Sequence, residues 1–295
     1  MNTTRVRHSR LHKWLWIALT VLVLIPSLLL AAVRPVFAAG EAATITIIIQ
    51  PASGGGSVDE PLTTQPVVNV VDAFATPVDD GTIVTATVSG GGSGVLRNDT
   101  AVTSSGNATF VGLGYSKSGE GFKITFSCTT GTPVESDALA AMTPGAATHL
   151  HVTGIPDEVA AGTPSYVTVT AHDQYDNVAR GYLGNITFTS SDVGGSTVLP
   201  ANYTFTGAGF DNGVHTFNIP PDVVTLTTAG GQSVTATDTD TSSINGTQTD
   251  ITVTHGAATQ YVILNPADGT VDVPITVTVQ LQDQYGNVCY YRRPR

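Results

Sequence analysis

The feature that most constrains this chain is an internal repeat. The tetrapeptide Gly-Ala-Ala-Thr at 145–148 recurs at 256–259, and the hexapeptide Asp-Gln-Tyr-Asp-Asn-Val at 173–178 recurs as Asp-Gln-Tyr-Gly-Asn-Val at 283–288. A weaker copy of the second motif, Asp-Ala-Phe-Ala-Thr, stands at 72–76. Self-similarity at a regular spacing indicates one structural unit used several times. We therefore predict three repeats, at 39–144, 145–255 and 256–295.

Each repeat carries the pattern of short β-strands. Apolar and polar residues alternate just before each repeated Asp, at 166–171 and 275–281, and Gly, Pro, Asn and Asp interrupt such runs at short intervals. Seven or eight short strands in one repeat are typical of an antiparallel β-sandwich, so we predict an all-β fold of tandem sandwiches. Alternation places Val167, Val169 and Ala171 in the core and Thr168 and Thr170 outside.

The third repeat is predicted to be truncated. Its 40 residues suffice for two strands, and two strands do not close a sandwich. After the turn, the second repeat continues as Ala-Arg-Gly-Tyr-Leu-Gly, whereas the third runs into Cys-Tyr-Tyr-Arg-Arg-Pro-Arg. Our hypothesis is that the chain is a fragment of a longer reading frame.

The first 38 residues have the form of an export signal. Basic residues Arg5, Arg7, Arg10 and Lys13 precede 20 uncharged residues at 14–33, and the small-residue pattern Val-Phe-Ala ends at Ala38. This order predicts a secretory signal helix that is cleaved after Ala38. The apolar segment is also long enough for an uncleaved membrane anchor, and either form places the rest of the chain outside the cytoplasm.

The amino-acid composition and the missing motifs exclude several classes of function. Charged residues make up only 12% of the chain, and without residues 1–38 seven basic and 23 acidic residues remain, a net charge of −16. Nucleic-acid binding requires clustered Lys and Arg, so we expect no such partner. The chain has no G-x-S-x-G, H-E-x-x-H or phosphate-loop motif. These patterns predict a protein that is not an enzyme, uses no cofactor and meets a membrane only through its N-terminal segment.

The repeats resemble the bacterial immunoglobulin-like repeats of invasin and intimin type, and filamin repeats more distantly. The run VTVTAHDQYDNVARGYLGNITFTSSD at 167–192 carries the resemblance, together with LPANYTFT at 199–206, NGVHTFNI at 212–219 and TLTTAGGQSVTATDT at 225–239. The resemblance covers nearly all of residues 42–291. It implies β-sandwiches strung along a large cell-surface or secreted protein, acting as a spacer or adhesin stalk, with no catalytic residues.

Two groups of acidic residues are candidate calcium ligands. Asp173 and Asp176 flank the repeated turn, and Asp238 and Asp240 stand in a polar stretch; carboxylate oxygens are the ligands that Ca²⁺ prefers. The alternative is that Asp and Asn bond to their own backbone in a turn or hairpin connection. We favour the alternative at both places, because Gly286 replaces Asp176 in the third repeat and the stretch from Asp238 lacks the later Gly and Glu of an EF-hand loop.

Histidine and cysteine give weaker signals. His149 and His151 share one face of a predicted strand and could contribute to a zinc site, but no third ligand lies nearby in sequence, which favours two exposed residues at a domain edge. His172, His215 and His255 are scattered along the chain. Cys128 and Cys289 lie in different predicted repeats, so we expect two unpaired thiols rather than a disulfide.

Together the patterns predict a secreted or cell-surface stalk or adhesin segment whose ligand the sequence does not identify. A rival is a glycan-binding accessory module of a secreted enzyme. Such modules bind sugars on aromatic platforms, and both Trp residues, Trp14 and Trp16, lie in the export signal. A third possibility is calcium-dependent adhesion between copies of the chain.

Overall fold

A computed structural model describes residues 40–264 and 268–290. The predicted export signal, its predicted cleavage site at Ala38 and the last five residues lie outside the described residues. Within the described part, no helix is long and apolar enough to cross a membrane.

The described chain is built from β-strands joined by turns, which confirms the all-β prediction. Nine strands belong to the first repeat: β1 (Thr44–Ile49), β2 (Val67–Val71), β3 (Ile83–Ser89), β4 (Leu96–Arg97), β5 (Thr100–Ser104), β6 (Asn107–Thr109), β7 (Gly114–Tyr115), β8 (Lys123–Ser127) and β9 (Val134–Glu135). Ten belong to the second: β10 (His149–Thr153), β11 (Glu158–Ala160), β12 (Pro164–Ser165), β13 (Val167–His172), β14 (Asn185–Ser190), β15 (Tyr203–Thr204), β16 (Val214–Phe217), β17 (Val224–Thr225), β18 (Gly230–Asp238) and β19 (Asn245–Thr254). The third repeat contributes β20 (Ala258–Leu264) and β21 (Thr278–Asp283).

The first repeat forms a sandwich of two sheets, and one strand, β5, takes part in both of them. Strands pair in the order β1-β2-β6-β5-β3-β8-β9, with β4 and β7 as a separate pair. The end of β5 pairs with β6, whereas its beginning pairs with β3. The sheets enclose an aromatic-rich core in which Phe110, Phe122 and Phe126 are at most 1% exposed. Alternate residues of β2, β5 and β8 face this interior.

The second repeat has the same kind of core between two sheets. Strands β10-β13-β16 form one sheet and β11-β19-β18-β14-β15 the other, with β11 parallel to β19. Val167, Val169 and Ala171 are fully buried and Thr168 and Thr170 are not, as the alternation predicted. The repeat contains ten strands where seven or eight were expected, and β11 and β12 are two short additional ones.

The third repeat consists of one antiparallel pair, β20 and β21, as its length predicted. Its apolar side chains have no second sheet to pack against among the described residues: Ile263, Val273, Ile275 and Val279 are each more than half exposed. The register nevertheless matches that of the second repeat, because Gln260 lies opposite Gln282 as His149 lies opposite His172.

Candidate functional site

The repeated Asp-containing turn has the same geometry in all three repeats. The first Asp accepts backbone N–H bonds from the residues two and four positions later, at 2.8–3.0 Å: Phe74 and Thr76 on Asp72, Tyr175 and Asn177 on Asp173, and Tyr285 and Asn287 on Asp283. The fourth residue has a positive φ, 60° at Ala75, 61° at Asp176 and 88° at Gly286. Each Asp thus holds a turn closed through its own backbone.

The second carboxylate oxygen of the Asp connects the turn to the Gly-Ala-Ala-Thr motif at the start of the repeat. It accepts the N–H of the Gly that begins the same repeat, 2.8 Å from Gly145 to Asp173 and 2.7 Å from Gly256 to Asp283. Burial alone would raise the pKa of Asp283, but the hydrogen bonds from Asn287, Gly256 and Tyr285 together outweigh it and hold that pKa below the ordinary value. The turn is therefore tied to the point where the chain leaves the preceding repeat.

The Asn that ends the turn reaches into the preceding repeat. The Nδ2 of Asn177 donates to the carbonyl of Ser116 at 2.8 Å, and its Oδ1 accepts the N–H of Ser118 at 3.0 Å. One side-chain amide thus pairs with a backbone C=O and an N–H two residues apart, as a neighbouring strand would.

Asn287 repeats this contact at the next boundary. It donates to the carbonyl of Thr227 and accepts the N–H of Ala229, both at 2.8 Å. Because Thr227 and Ala229 lie 111 residues after Ser116 and Ser118, equivalent atoms meet at both boundaries. We call these contacts the first joint (at Asn177) and the second joint (at Asn287).

A tyrosine from the same turn packs against the core of the preceding repeat at each joint. Tyr175 packs against the core of the first repeat and Tyr285 against that of the second. At the second joint a Cβ on Gly162 would overlap the Tyr285 ring, so this close approach requires glycine. At the first joint the Arg97 guanidinium lies over the Tyr175 ring, 4.8 Å from its centroid.

The first joint has further polar contacts. Arg97 donates to the carbonyls of Val58 and Glu60, at 2.6 and 3.1 Å, so it is fixed to the first repeat while it covers Tyr175. Asp59 accepts from Gln174 Nε2 and from the N–H of Ala146, both at 2.9 Å. Charged and polar groups of both repeats therefore hold the boundary.

Basic residues are concentrated at this joint. A cleft along the boundary is lined by Lys117 and Arg180 together with Met142, Pro144 and Asp176. With Arg97, three of the four basic residues between 39 and 291 lie here, whereas the fourth pairs with a carboxylate on β9. The joint thus brings three of the basic side chains of an acidic chain close to carboxylates, among them Asp59 and Asp176.

The calcium candidates Asp173 and Asp176 have separate roles in the structure. Asp173 is fully buried, and its oxygens accept from four N–H donors, on Gly145, Tyr175, Asn177 and the Asn177 amide. Asp176 is exposed, with Oδ1 at 3.1 Å from His149 Nε2. These contacts are those of the turn that we favoured, and a calcium role stays a prediction.

Asp238 and Asp240 lie at the hairpin between β18 and β19. Asp238 is buried and accepts the backbone N–H of Asp240 and of Thr241, at 2.9 and 2.8 Å, as well as the Tyr182 hydroxyl. Burial would raise the pKa of Asp238, but the bonds from Tyr182 and the two N–H groups lower it overall. The pair is thus organised as a hairpin connection, and calcium binding here is likewise untested.

The sequence suggested that the histidines are scattered, but three of them lie together in the structure. His172 lies directly opposite His149 in the β10–β13 pair, and His151 lies on the same face. The register of the strand pair brings these histidines together, and their spacing along the chain does not predict the contact. His215 instead stacks on Tyr203 with ring centroids 3.7 Å apart, and His255 bonds its neighbour Gly256. Both cysteines are free thiols.

No family model matches the chain, and no curated protein matches it. Solved structures of the invasin and intimin type, which the sequence resembles, are similar in fold. The Escherichia coli adhesin FdeC is 19% identical with a TM-score of 0.33, covering 85% of this chain and 77% of that one. Invasin, a bacterial integrin-binding protein, is 17% identical with a TM-score of 0.30, covering 83% and 47%. A C-terminal fragment of intimin, solved with the intimin-binding domain of its translocated receptor, is 14% identical with a TM-score of 0.24, covering 77% and 67%.

Proposed function

We propose that this chain is a non-enzymatic segment of an exported protein, in which immunoglobulin-like repeats form a stiff stalk or adhesin arm. The proposed units are residues 39–144, 145–255 and 256–295. The observation that carries the proposal is the joint: the same turn of one repeat holds the core and backbone of the repeat before it, twice in succession. A joint that recurs with equivalent atoms suits a chain whose task is to keep an orientation from one repeat to the next.

The connections between repeats support stiffness. Before the first joint, the N–H of Thr143 donates to Gly56 and its carbonyl accepts from Val58, both at 3.0 Å. Before the second joint, β19 continues as a paired strand to Thr254, and Gly256 already bonds Asp283. A flexible linker needs residues free of such bonds, so little rotation is available between repeats.

The export signal, the charge of −16 and the low share of charged residues support a place outside the cytoplasm. The basic residues of the first joint lie beside carboxylates such as Asp59 and Asp176, which favours contacts between repeats over contacts with nucleic acid. We infer that the outer loops and any further repeats supply adhesion, and that the described part sets their distance from the membrane or wall.

Small-angle X-ray scattering tests the stalk proposal directly. The full chain is expected to scatter as an elongated particle of fixed shape, whereas a variant with both Asn177→Ala and Asn287→Ala is expected to scatter as a set of bent shapes. The matched control is Asn202→Ala, because Asn202 is exposed and takes no part in either joint. A wild-type curve that already requires freely hinged repeats would contradict the proposal.

Localisation and binding are tested on cells. N-terminal sequencing of the exported protein is expected to begin at Ala39, and protease added to intact cells is expected to remove the protein. Protein that remains in the cytoplasm would overturn the proposed location. Retention of the chain on insoluble glycans would favour the accessory-module alternative.

A further inference from the structure

Three histidine rings meet on the outer face of the β10–β13 pair. The three ring centroids form a triangle, with His172 5.6 Å from His149 and 4.4 Å from His151, and His149 5.3 Å from His151. Two of the rings come from β10, at alternate positions of one face, and the third from the facing end of β13. The cluster thus depends on strand register.

A carboxylate completes the cluster. The turn after β13 brings Asp176 back over the strand ends, with its Oδ1 3.1 Å from His149 Nε2 and its carbonyl 3.2 Å from His172 Nδ1. One ligand atom from each of His149, His172 and Asp176 lies within 4.8 Å of the others. The two rings are half-buried, whereas the carboxylate is exposed, so the group is held by the fold and open to solvent.

We propose that His149, His172 and Asp176 form a site for a divalent transition-metal ion of the zinc class, with His151 or water as the fourth ligand. Two imidazoles and one carboxylate suit Zn²⁺ and similar ions, whereas Ca²⁺ and Mg²⁺ prefer oxygen ligands alone. The site shares Asp176 with the calcium candidates of the sequence but differs from them in its ligands, because it combines that carboxylate with histidines and leaves Asp173 to the turn.

The geometry is close to what such an ion requires. With bonds of about 2.0–2.1 Å, the ligand atoms of a tetrahedral site lie about 3.3 Å apart. His149 Nε2 and Asp176 Oδ1 are 3.1 Å apart, and the three ligand atoms lie within 4.8 Å of one another, so metal binding requires the third atom to move inward.

The other repeats serve as internal controls for this cluster. The four positions are occupied by Thr44, Thr46, Val71 and Ala75 in the first repeat, and by Gln260, Val262, Gln282 and Gly286 in the third. The paired strands and the turn form in both of those repeats. Neither the strand pair nor the turn therefore needs His or Asp at these positions, and their presence together in the second repeat calls for another reason.

A metal at this site would act on the first joint. It would connect the beginning of β10 to the turn that carries Tyr175 and Asn177, and this turn holds the second repeat on the first. Metal binding is therefore expected to stabilise the turn together with the joint. The inference goes beyond the stalk proposal, which requires no ion.

Titration calorimetry with Zn²⁺ on the untagged full chain tests the site, and absorption of Co²⁺ in the same chain reports tetrahedral coordination. We expect one site whose affinity falls roughly tenfold or more in His172→Ala and in Asp176→Gly. Asp176→Gly keeps the turn, because Gly286 fills the same position at a positive φ in the third repeat. The controls His255→Ala, and Cys128→Ser with Cys289→Ser, should bind as the wild type does.

The outcomes separate clearly. Equal affinity of the wild type and both site variants would overturn the proposal, as would loss of binding in the His255→Ala control. A site that takes Ca²⁺ as tightly as Zn²⁺ would contradict the assigned class of ion. In a second measurement, Zn²⁺ should raise the urea midpoint of the wild type and leave that of Asp176→Gly unchanged. None of these results depends on whether the repeats form a stalk.

Discussion

The exchange Asn177→Ala removes the side-chain amide that bridges the first two repeats. It deletes the bonds to the Ser116 carbonyl and the Ser118 N–H, together with the contact between Asn177 Nδ2 and Asp173. The backbone N–H of residue 177 still reaches Asp173, and the first repeat closes the same turn with Thr76. The turn is therefore expected to survive while the joint loses its polar contacts.

The magnitude follows from the two bonds across the joint. A neutral hydrogen bond contributes about 0.5–1.5 kcal/mol net, so the pair accounts for roughly 1–3 kcal/mol of coupling between the repeats. Asn177 itself is 3% exposed, but Ser116 and Ser118 are only partly buried, and water can reach their backbone after the exchange. We therefore expect a loss of about 1–2 kcal/mol, in the lower half of that range.

Hydrogen exchange at the Ser118 amide is the assay, because this N–H has the Asn177 side chain as its acceptor. Its protection should fall roughly tenfold, which corresponds to about 1.4 kcal/mol, while amides in the buried strand β8 keep theirs. Asn177→Thr should lose the same protection and keep the turn, and Asn202→Ala should change nothing. If Ser118 remains as protected in Asn177→Ala as in the wild type, the side-chain amide does not hold the joint.

Three further outcomes are expected. Gly162→Ala should destabilise the second joint by about 1–3 kcal/mol in urea unfolding, because φ is +81° and the new Cβ would overlap the Tyr285 ring; an unchanged midpoint would contradict this contact. Phe126→Ala should cost about 3–5 kcal/mol by the same measurement, since the ring is fully buried, and a loss below 1 kcal/mol would place it outside the core. Hydrogen bonds from Thr76 and other N–H groups lower the pKa of Asp72. Hydrogen bonds also lower the pKa of Asp283, although burial opposes them. Both ionised carboxylates therefore stabilise the fold at pH values above 3.8, the ordinary pKa of Asp. The part of the unfolding free energy that depends on these two carboxylates should therefore stay level from pH 7 to pH 5 and fall as the pH drops below 3.8 through the folded pKa values. Burial lowers the pKa of His172, so a decline between pH 7 and pH 5 is assigned to that residue, and the absence of any further loss below pH 3.8 would contradict the role of the carboxylates.

The turn at the joints was predicted from the sequence, but its contacts with the preceding repeat were not. The recurrence of Asp-Gln-Tyr-x-Asn after an alternating strand predicted a turn that Asp and Asn bond internally, and the structure contains that turn. The docking of Tyr175 and Asn177 on the preceding repeat was not predicted. The atoms that receive them are backbone groups at Ser116 and Ser118, which any residue type would offer, so no sequence signal marks them.

Arg97 and Asp59 were missed for a related reason. Both lie far from the turn along the chain and have no motif around them, yet both contact its residues. Scarcity was the available signal for Arg97, which is one of only four basic residues between 39 and 291, whereas Asp59 is one of 23 acidic residues and carries no such signal.

The sequence by itself determined the repeating unit and which of its side chains form the core. A period-2 pattern decides which side chains face the core, because successive residues of a strand point to opposite faces, and repeated motifs reveal how often the unit recurs. Only the tertiary structure decided which residues of different strands and repeats become neighbours. His149 meets His172 through strand register, and Asn177 meets Ser116 through the packing of one repeat on another. Both contacts join residues that are distant along the chain, and local patterns carry no information about such distances.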